Sequence, residues 1–579
     1  MTRLKYPLYM LGMLLITACS QTGVKQPTGS AEKPIEMAAT TTEPDSAPAQ
    51  NLPKQDLTPE LLYQFLLAEI AGQRGEINLA KSAYLDLARK TKDPRVAQRA
   101  AEIAVFARDQ AGALEATRLW NETDQTSPRA NLTLVTLLLA QDKLAEAEPL
   151  LGKILANDPP TGFLHLSAWL AKTRDSAAAL ALVQKLASDY PMLPEAQLAV
   201  ARTAAQAGKP EVLTAALQQA DKLRPGWQPA ALYYAQWLLK TSRSDALGFM
   251  QQFLKQYPQA RDVRLAYARL LVSASQFPEA RTEFTRLTTD IPGNPEVTIA
   301  AGLLALQMGD VDTAQGLLMQ ALEYGYQPTD TVHYYLGLAA EEKKQLGEAA
   351  NHYQQVREGE YLVQARARQA AMLVKQGSLA DARALLASTR TSNDAQKLRL
   401  VRAEADLLRE ARDFAQAYSV LSAGLKVYPD SPDLLYDHAM MAEKLNKLDV
   451  LEKNLRRVMQ LKPDEAQAYN ALGYTLADRT NRLDEAVQLL DKALSISPDD
   501  PYILDSMGWA QYRKGNFERA RTYLERAFKT RPDPEIAAHL GEVMWMHGQR
   551  EDASSLWQTS LKNHPQNEVL LETLRRFKP

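Results

Sequence analysis

The sequence predicts an all-α superhelix, an α-solenoid of about fifteen helix-turn-helix repeats, and three observations support this fold class. First, small side chains recur every 32 to 35 residues along most of the chain. Second, the composition is 46% hydrophobic but only 7% aromatic, and its many Ala and Leu residues favour helices over strands. Third, 579 residues exceed the ~250–300 at which one hydrophobic core stops growing, which favours an elongated array or several domains.

The recurring small position defines the repeat unit. It is occupied by Ala80, Ala113, Ala147, Ala179, Leu213, Ala246, Ala280, Ala314, Ala349, Ala382, Ala417, Leu451, Ala486, Ala520 and Ala553. Twelve residues earlier, most units carry a second small residue, at Ala68, Ala101, Ala201, Ala268, Gly302, Gly337, Ala370, Ala405, Ala439, Gly508 and Gly541. Two helices of about twelve to fifteen residues fit into each unit. We expect an antiparallel helix pair whose small residues permit close approach, with a proline such as Pro159 or Pro191 ending the second helix.

The C-terminal units carry the clearest motif. Their sequences include NALGYTLADRTNRLDEAVQLLDKALSISPDD (470–500) and DSMGWAQYRKGNFERARTYLERAFKTRPDP (505–534). This pattern resembles the tetratricopeptide repeat, and the resemblance implies an inner wall made mainly by the first helix of each pair, a surface that usually binds proteins. Near the N-terminus Val135, Ser167 and Tyr234 replace the small residue, so we expect irregular bending there.

The first residues have the features of a secretory signal. Arg3 and Lys5 precede an apolar run over 8–16 that is too short to span a bilayer, and small residues follow it. The segment ITAC at 16–19 resembles the lipobox of bacterial lipoproteins, which implies lipid attachment to Cys19 and, because Ser20 follows, an outer-membrane location. The alternative is an ordinary signal with an incidental cysteine. Cys19 is the single cysteine of the chain, so we expect it to carry covalent lipid as a membrane anchor.

The chain divides into six predicted segments. We expect a lipoprotein signal peptide at 1–18 and a lipidated disordered tether at 19–57, which is rich in Thr, Pro, Ala and Gln. Degenerate repeats follow at 58–290, middle repeats at 291–465 and near-consensus repeats at 466–565, and a capping helix ends the chain at 566–579. A flexible tether of this length spans on the order of 35 Å, so the array would stand away from the membrane surface.

Charge and motifs argue against several function classes. Lys and Arg number 67 and Asp and Glu 69, so we expect no nucleic-acid partner, and basic runs such as 95–108 are interpreted as solvated helix faces. The chain contains no GxSxG, HExxH, GxxxxGK[ST] or GxGxxG motif, so we expect no enzymatic activity and no cofactor apart from the lipid on Cys19. His539 and His547 should lie ~12 Å apart on one helix, too far to share a metal ion, and no metal site is predicted.

The tether followed by a long repeat array resembles the large outer-membrane repeat lipoproteins of Gram-negative bacteria, in particular those that bind carboxy-terminal processing proteases. This resemblance implies a periplasm-facing adaptor that holds such a protease and presents murein hydrolases to it, thereby controlling cell-wall hydrolase turnover. A second hypothesis is a scaffold for an envelope export or assembly machine, such as exopolysaccharide secretion, where similar lipoproteins occur. Spacing and composition do not choose between these partners.

The near-consensus repeats also predict a binding surface. The positions expected on the inner wall are Asn470, Tyr474, Asp505, Trp509, Tyr512, Glu542 and Trp545. They combine aromatic rings with hydrogen-bonding groups, which is typical of protein-binding grooves. The competing interpretation is that Tyr474, Trp509 and Trp545 fill gaps between neighbouring repeats.

Overall fold

The computed structural model describes residues 52–171 and 173–578. The predicted signal peptide, the lipid-attachment residue Cys19 and the tether up to residue 51 lie outside the described residues. Throughout the described part the secondary structure is α-helical, which confirms the predicted all-α fold class. None of the helices in this part is long and apolar enough to cross a membrane.

The described helices fall into two compact units, residues up to 309 and residues from 310 onward. The helices of the first unit are α1 (Pro59–Gln73), α2 (Ile77–Thr91), α3 (Pro94–Phe106), α4 (Gln110–Thr123), α5 (Pro128–Ala140), α6 (Leu144–Asn157), α7 (Pro159–Leu170), α8 (Ser176–Ser188), α9 (Pro194–Gln206), α10 (Pro210–Leu223), α11 (Gln228–Leu239), α12 (Arg243–Gln256), α13 (Arg261–Ser273), α14 (Phe277–Asp290) and α15 (Pro295–Gln307). Within it, consecutive helices such as α3 and α4 pack closely together.

The second unit continues the same alternation. Its helices are α16 (Val311–Glu323), α17 (Thr329–Glu342), α18 (Leu346–Gln355), α19 (Leu362–Lys375), α20 (Leu379–Ser388), α21 (Asp394–Glu410), α22 (Phe414–Val427), α23 (Pro432–Lys444), α24 (Leu448–Leu461), α25 (Ala466–Arg479), α26 (Leu483–Ile496), α27 (Pro501–Arg513), α28 (Phe517–Thr530), α29 (Pro534–Met546), α30 (Arg550–Asn563) and α31 (Glu568–Phe577). The last helix lies within the segment predicted to cap the array, and it packs against α29 and α30.

The small residues that define the repeat occupy equivalent places in the structure. All fifteen lie in even-numbered helices, from Ala80 in α2 to Ala553 in α30. Each is at most 2% exposed, because its side chain lies between packed helices. The helix-turn-helix periodicity read from the sequence is therefore confirmed.

Local sequence sets where the helices begin. In α27, Pro501 occupies the start of the helix and the Asp500 carboxylate accepts hydrogen bonds from the backbone N–H groups of Tyr502 and Ile503. Proline suits this position because the first N–H groups of a helix have no intrahelical partner. Pro159 likewise begins α7, and the preceding helix α6 ends at Asn157, because Asp158, directly before the proline, lies outside helical dihedral angles as expected.

Helix lengths vary most in the second unit. The helices α18 and α20 have only 10 residues each, whereas α21 has 17. By contrast α5 and α7, which carry the substituted positions Val135 and Ser167, have the ordinary lengths of 13 and 12 residues. The reason is local: Val356 turns extended directly after α18, and Thr389 does so after α20.

Candidate functional site: the wall of first helices in the C-terminal repeats

The odd-numbered helices of the last repeats form one continuous wall. Helix α25 packs against α27, α27 packs against α29, and α29 packs against α31. We call the surface presented by α25, α27 and α29 the C-terminal wall. Aromatic rings of this face meet across two repeats, as shown by Tyr474 and His539 with centroids 6.2 Å apart.

Four side chains from three helices meet at the centre of the wall. The Nδ1 atom of His539 on α29 lies 3.0 Å from both carboxylate oxygens of Asp505 on α27. The Trp509 ring stacks on the His539 ring with centroids 4.4 Å apart, and its Nε1 donates to Asp478 Oδ1 at 3.2 Å. The imidazole is thus held between an aromatic face and a carboxylate, and these contacts tie three successive repeats together.

A second group of contacts extends the wall toward the C-terminus. The Tyr512 hydroxyl donates to Glu542 Oε1 at 3.2 Å, and the same carboxylate accepts a hydrogen bond from the Arg576 guanidinium of α31. The rings of Tyr512 and Trp509 are 5.1 Å apart, which joins the two groups. Glu542 is buried, so its charge depends on these two donors.

Trp545 lies at the edge of the wall and packs away from its centre. Its ring is 5.7 Å from the fully buried Trp557 ring on α30 and 5.9 Å from Phe577 on α31. The Arg550 guanidinium also lies over the Trp545 ring at 5.4 Å. Here the aromatic side chain fills the space between a repeat and the final helix, as the competing interpretation of the sequence allowed.

The remaining predicted residue, Asn470, lies one helical turn before Tyr474 on α25. Its Oδ1 atom is buried and accepts no hydrogen bond from the described residues. The structure therefore brings Tyr474, Asp505, Trp509 and Tyr512 together, with Glu542 linked through Tyr512 and Trp545 at the margin.

Electrostatics at the centre favour a charged imidazole. Burial opposes the positive charge on His539, but the adjacent Asp505 carboxylate outweighs it, and the net result is a raised His539 pKa. Burial also raises the pKa of Tyr474, an effect reinforced by the Asp478 and Asp505 carboxylates, so its hydroxyl stays protonated at neutral pH. The centre of the wall therefore presents hydrogen-bond donors and ring faces beside carboxylates.

Two partners at the centre of the wall, His539 and Asp478, were not among the residues predicted for the site. Counting repeat positions from Gly541 selected Glu542 and Trp545 on α29 as inner-wall residues. The same count did not select His539. The available signal was the pair of ionisable residues Asp505 and His539, which are separated by 34 residues, one repeat length.

No arrangement of three or more His, Cys, Asp or Glu side chains in the described part of the chain could hold a metal ion. His539 is bound to Asp505, while His547 follows the end of α29 and lies 3.5 Å from Glu518. These two histidines thus have separate carboxylate partners.

Comparison with known proteins agrees with this architecture. Tetratricopeptide repeat models match residues 479–543 and, separately, residues 299–362 and 448–501. The TPR repeat-containing protein PA4667 of Pseudomonas aeruginosa is 35% identical over 532 residues, which cover 91% of this chain and 89% of that protein. This chain belongs to the tetratricopeptide repeat family. The repeats of this family are protein-interaction scaffolds, and the fold is typically non-catalytic.

Solved structures of two other tetratricopeptide repeat proteins are similar to parts of the chain. A thermophilic protein of Thermus thermophilus is 19% identical with a TM-score of 0.28, and the match covers 30% of this chain and 96% of that one. A protein of Parabacteroides merdae is 16% identical with a TM-score of 0.33, covering 48% of this chain and 97% of that one.

Proposed function

We propose that this tetratricopeptide repeat protein is an outer-membrane lipoprotein adaptor, anchored through Cys19 and facing the periplasm. It binds a carboxy-terminal processing protease together with the peptidoglycan hydrolases that this protease degrades. In this role it resembles LbcA, the lipoprotein binding partner of the protease CtpA. The observation that carries the binding role is the C-terminal wall, where aromatic rings and hydrogen-bonding groups of three repeats converge.

The residues of the C-terminal wall have two different roles. Asp505, Trp509 and Glu542 are buried, and their contacts with His539, Asp478 and Arg576 hold neighbouring repeats in place. Tyr474 and Tyr512 remain partly exposed, so their rings can contact a partner segment. Tyrosine suits this task because it contributes a large contact area at a small entropic cost. The two tyrosines are thus the proposed partner contacts, supported by a buried framework.

The anchor and the repeats act together in this proposal. A lipid on Cys19 would keep the chain at the outer membrane, while the predicted tether would let the repeats reach partners on the order of 35 Å away. Holding a protease and its substrate on one scaffold raises their effective concentration without any new contact between them. An adaptor therefore needs no catalytic group of its own.

Affinity capture from detergent-solubilised envelopes tests this function. The bait is the full mature chain, compared with a Tyr474→Ala/Tyr512→Ala variant and with Tyr324→Ala, an exposed tyrosine that follows α16. We expect the wild type and Tyr324→Ala to recover a carboxy-terminal processing protease with murein hydrolases, and the double variant to recover less. Recovery of export-complex components instead would contradict the adaptor role and support the envelope-assembly hypothesis.

A further inference from the structure

Two histidines face each other between the two helices of one repeat, far along the sequence from the C-terminal wall. His333 lies on α17 and His352 on α18, and their Nδ1 atoms are 3.3 Å apart. The ring centroids are 5.6 Å apart and the planes are tilted by 31°. The two Nδ1 atoms therefore face each other across the space between α17 and α18.

This separation suits a shared ligand as well as a direct hydrogen bond. At 3.3 Å, the His333 and His352 nitrogens are within reach of an N–H···N bond if one ring donates and the other accepts. Two imidazole nitrogens bound at ~2.0–2.1 Å to one tetrahedral Zn²⁺ lie about 3.4 Å apart. Only a small adjustment would place an ion between them.

The surroundings keep both imidazoles neutral and able to bind. Burial lowers the pKa of His333, and the neighbouring His352 lowers it further, whereas Asp330 acts in the opposite direction. Burial also lowers the pKa of His352, against the opposing effect of Glu348. A neutral imidazole offers a nitrogen lone pair at pH 7, which is the form that binds metal ions.

A carboxylate also lies near one of the two rings, beyond hydrogen-bond distance. Glu348, one helical turn before His352 on α18, has its Oε1 atom 3.9 Å from His352 Nε2, the ring nitrogen remote from His333. That carboxylate accepts a hydrogen bond from Gln315 Nε2 at 2.7 Å, and Lys343 Nζ donates to Gln315 Oε1 at 2.9 Å. In metal sites a carboxylate commonly accepts a hydrogen bond from the remote nitrogen of a ligating histidine, and Glu348 would have to move closer to His352 to do so.

We propose that His333 and His352 chelate one divalent transition-metal ion, such as Zn²⁺, through their Nδ1 atoms. Imidazole suits Zn²⁺, Cu²⁺ and Ni²⁺ over Mg²⁺ and Ca²⁺, which prefer oxygen ligands. With two protein ligands, water molecules complete the coordination. The bound ion cross-links α17 to α18 and stabilises this repeat, a role separate from binding partners at the C-terminal wall.

Zinc titration by calorimetry tests the proposal. The full mature chain is purified without an oligohistidine tag, stripped of metal with a chelator and titrated with Zn²⁺ at pH 7.5. We expect one site whose affinity falls at least tenfold in His333→Gln and in His352→Gln. The matched control is His165→Gln, an exposed histidine on α7, which should leave the affinity unchanged.

Equal zinc affinity in the wild type and both His variants would overturn the proposal, as would an equal loss in His165→Gln. Circular dichroism of the metal-free variants shows whether they fold. Should either variant unfold, X-ray absorption at the zinc edge of the wild-type complex decides: two imidazole nitrogens completed by oxygen support the site, and a shell with one nitrogen or none refutes it. Lowering the pH to 5.5 should also weaken binding, because protons compete for both nitrogens.

Discussion

Replacing Gly508 with alanine should destabilise the repeat formed by α27 and α28. A Cβ atom at this position would lie 2.5 Å from Leu524 Cγ and 3.1 Å from the Ala520 backbone oxygen, so the second helix would have to move. Overpacking of this kind costs about 1–3 kcal/mol. The higher helix propensity of alanine offsets about 0.5–1 kcal/mol of that cost. We therefore expect a net loss of about 1 kcal/mol, within a range from about 0 to 2.5 kcal/mol.

A helical glycine in open space provides the matched control. Gly316 on α16 has no atom within 4 Å of the position that an added Cβ would occupy, so Gly316→Ala should stabilise the chain by about 0.5–1 kcal/mol through propensity alone. Peptide-level hydrogen exchange measures both changes locally, which matters because long repeat arrays need not unfold in one step. Slower exchange across α27 and α28 in Gly508→Ala would refute the close approach of these helices. The double variant Gly508→Ala/Leu524→Ala should lose less stability than the sum of the losses in the two single variants. The shorter side chain at 524 makes room for the added methyl group, and that methyl group partly fills the space left by the leucine.

Three further predictions concern the anchor, the wall and pH. Cys19→Ala should abolish acylation and pelleting with the outer membrane while the repeats stay folded; labelled palmitate on the variant would contradict this. Tyr474→Ala should weaken partner binding by about 2 kcal/mol with little loss of stability, whereas a loss of about 3–5 kcal/mol in the unfolding free energy would mark the ring as core. Burial lowers the pKa of His438 to about 4 in the folded chain. As the pH falls from 6.5 to 4, the imidazole is protonated in the unfolded chain but not in the folded one, so the free energy of unfolding should fall by up to about 3 kcal/mol. In His438→Gln this pH dependence should be smaller, and an unchanged acid profile from hydrogen exchange would show that another group causes it.

The sequence predicted the repeat architecture because the small residues are under one packing constraint. Ala520 is fully buried where α28 meets α27, and a small residue holds the equivalent position in most of the repeats, with Leu213 and Leu451 as the exceptions. Helix ends were harder to predict. The short helices α18 and α20 end where Val356 and Thr389 adopt extended backbone, which no periodic pattern encodes.

The candidate site was predictable as a surface but not as a network. Repeat register brought Trp509 and Asp505 to the correct wall, yet their neighbour His539 lies outside the register used. Trp545 illustrates the opposite case. It occupies an inner-wall register position, but α31 follows in place of another repeat, and the Trp557 and Phe577 rings cover it. A residue in the last repeat can therefore have different neighbours from the equivalent residue in an internal repeat.

Reconstituted proteolysis tests the adaptor role most directly. The assay measures cleavage of a purified murein hydrolase by a purified carboxy-terminal processing protease, with and without the mature chain. We expect no cleavage by the chain alone, faster hydrolase degradation when chain and protease are combined, and a weaker effect with Tyr474→Ala. An unchanged protease rate at saturating chain, or hydrolase cleavage by the chain alone after contaminating enzymes are excluded, would contradict the account.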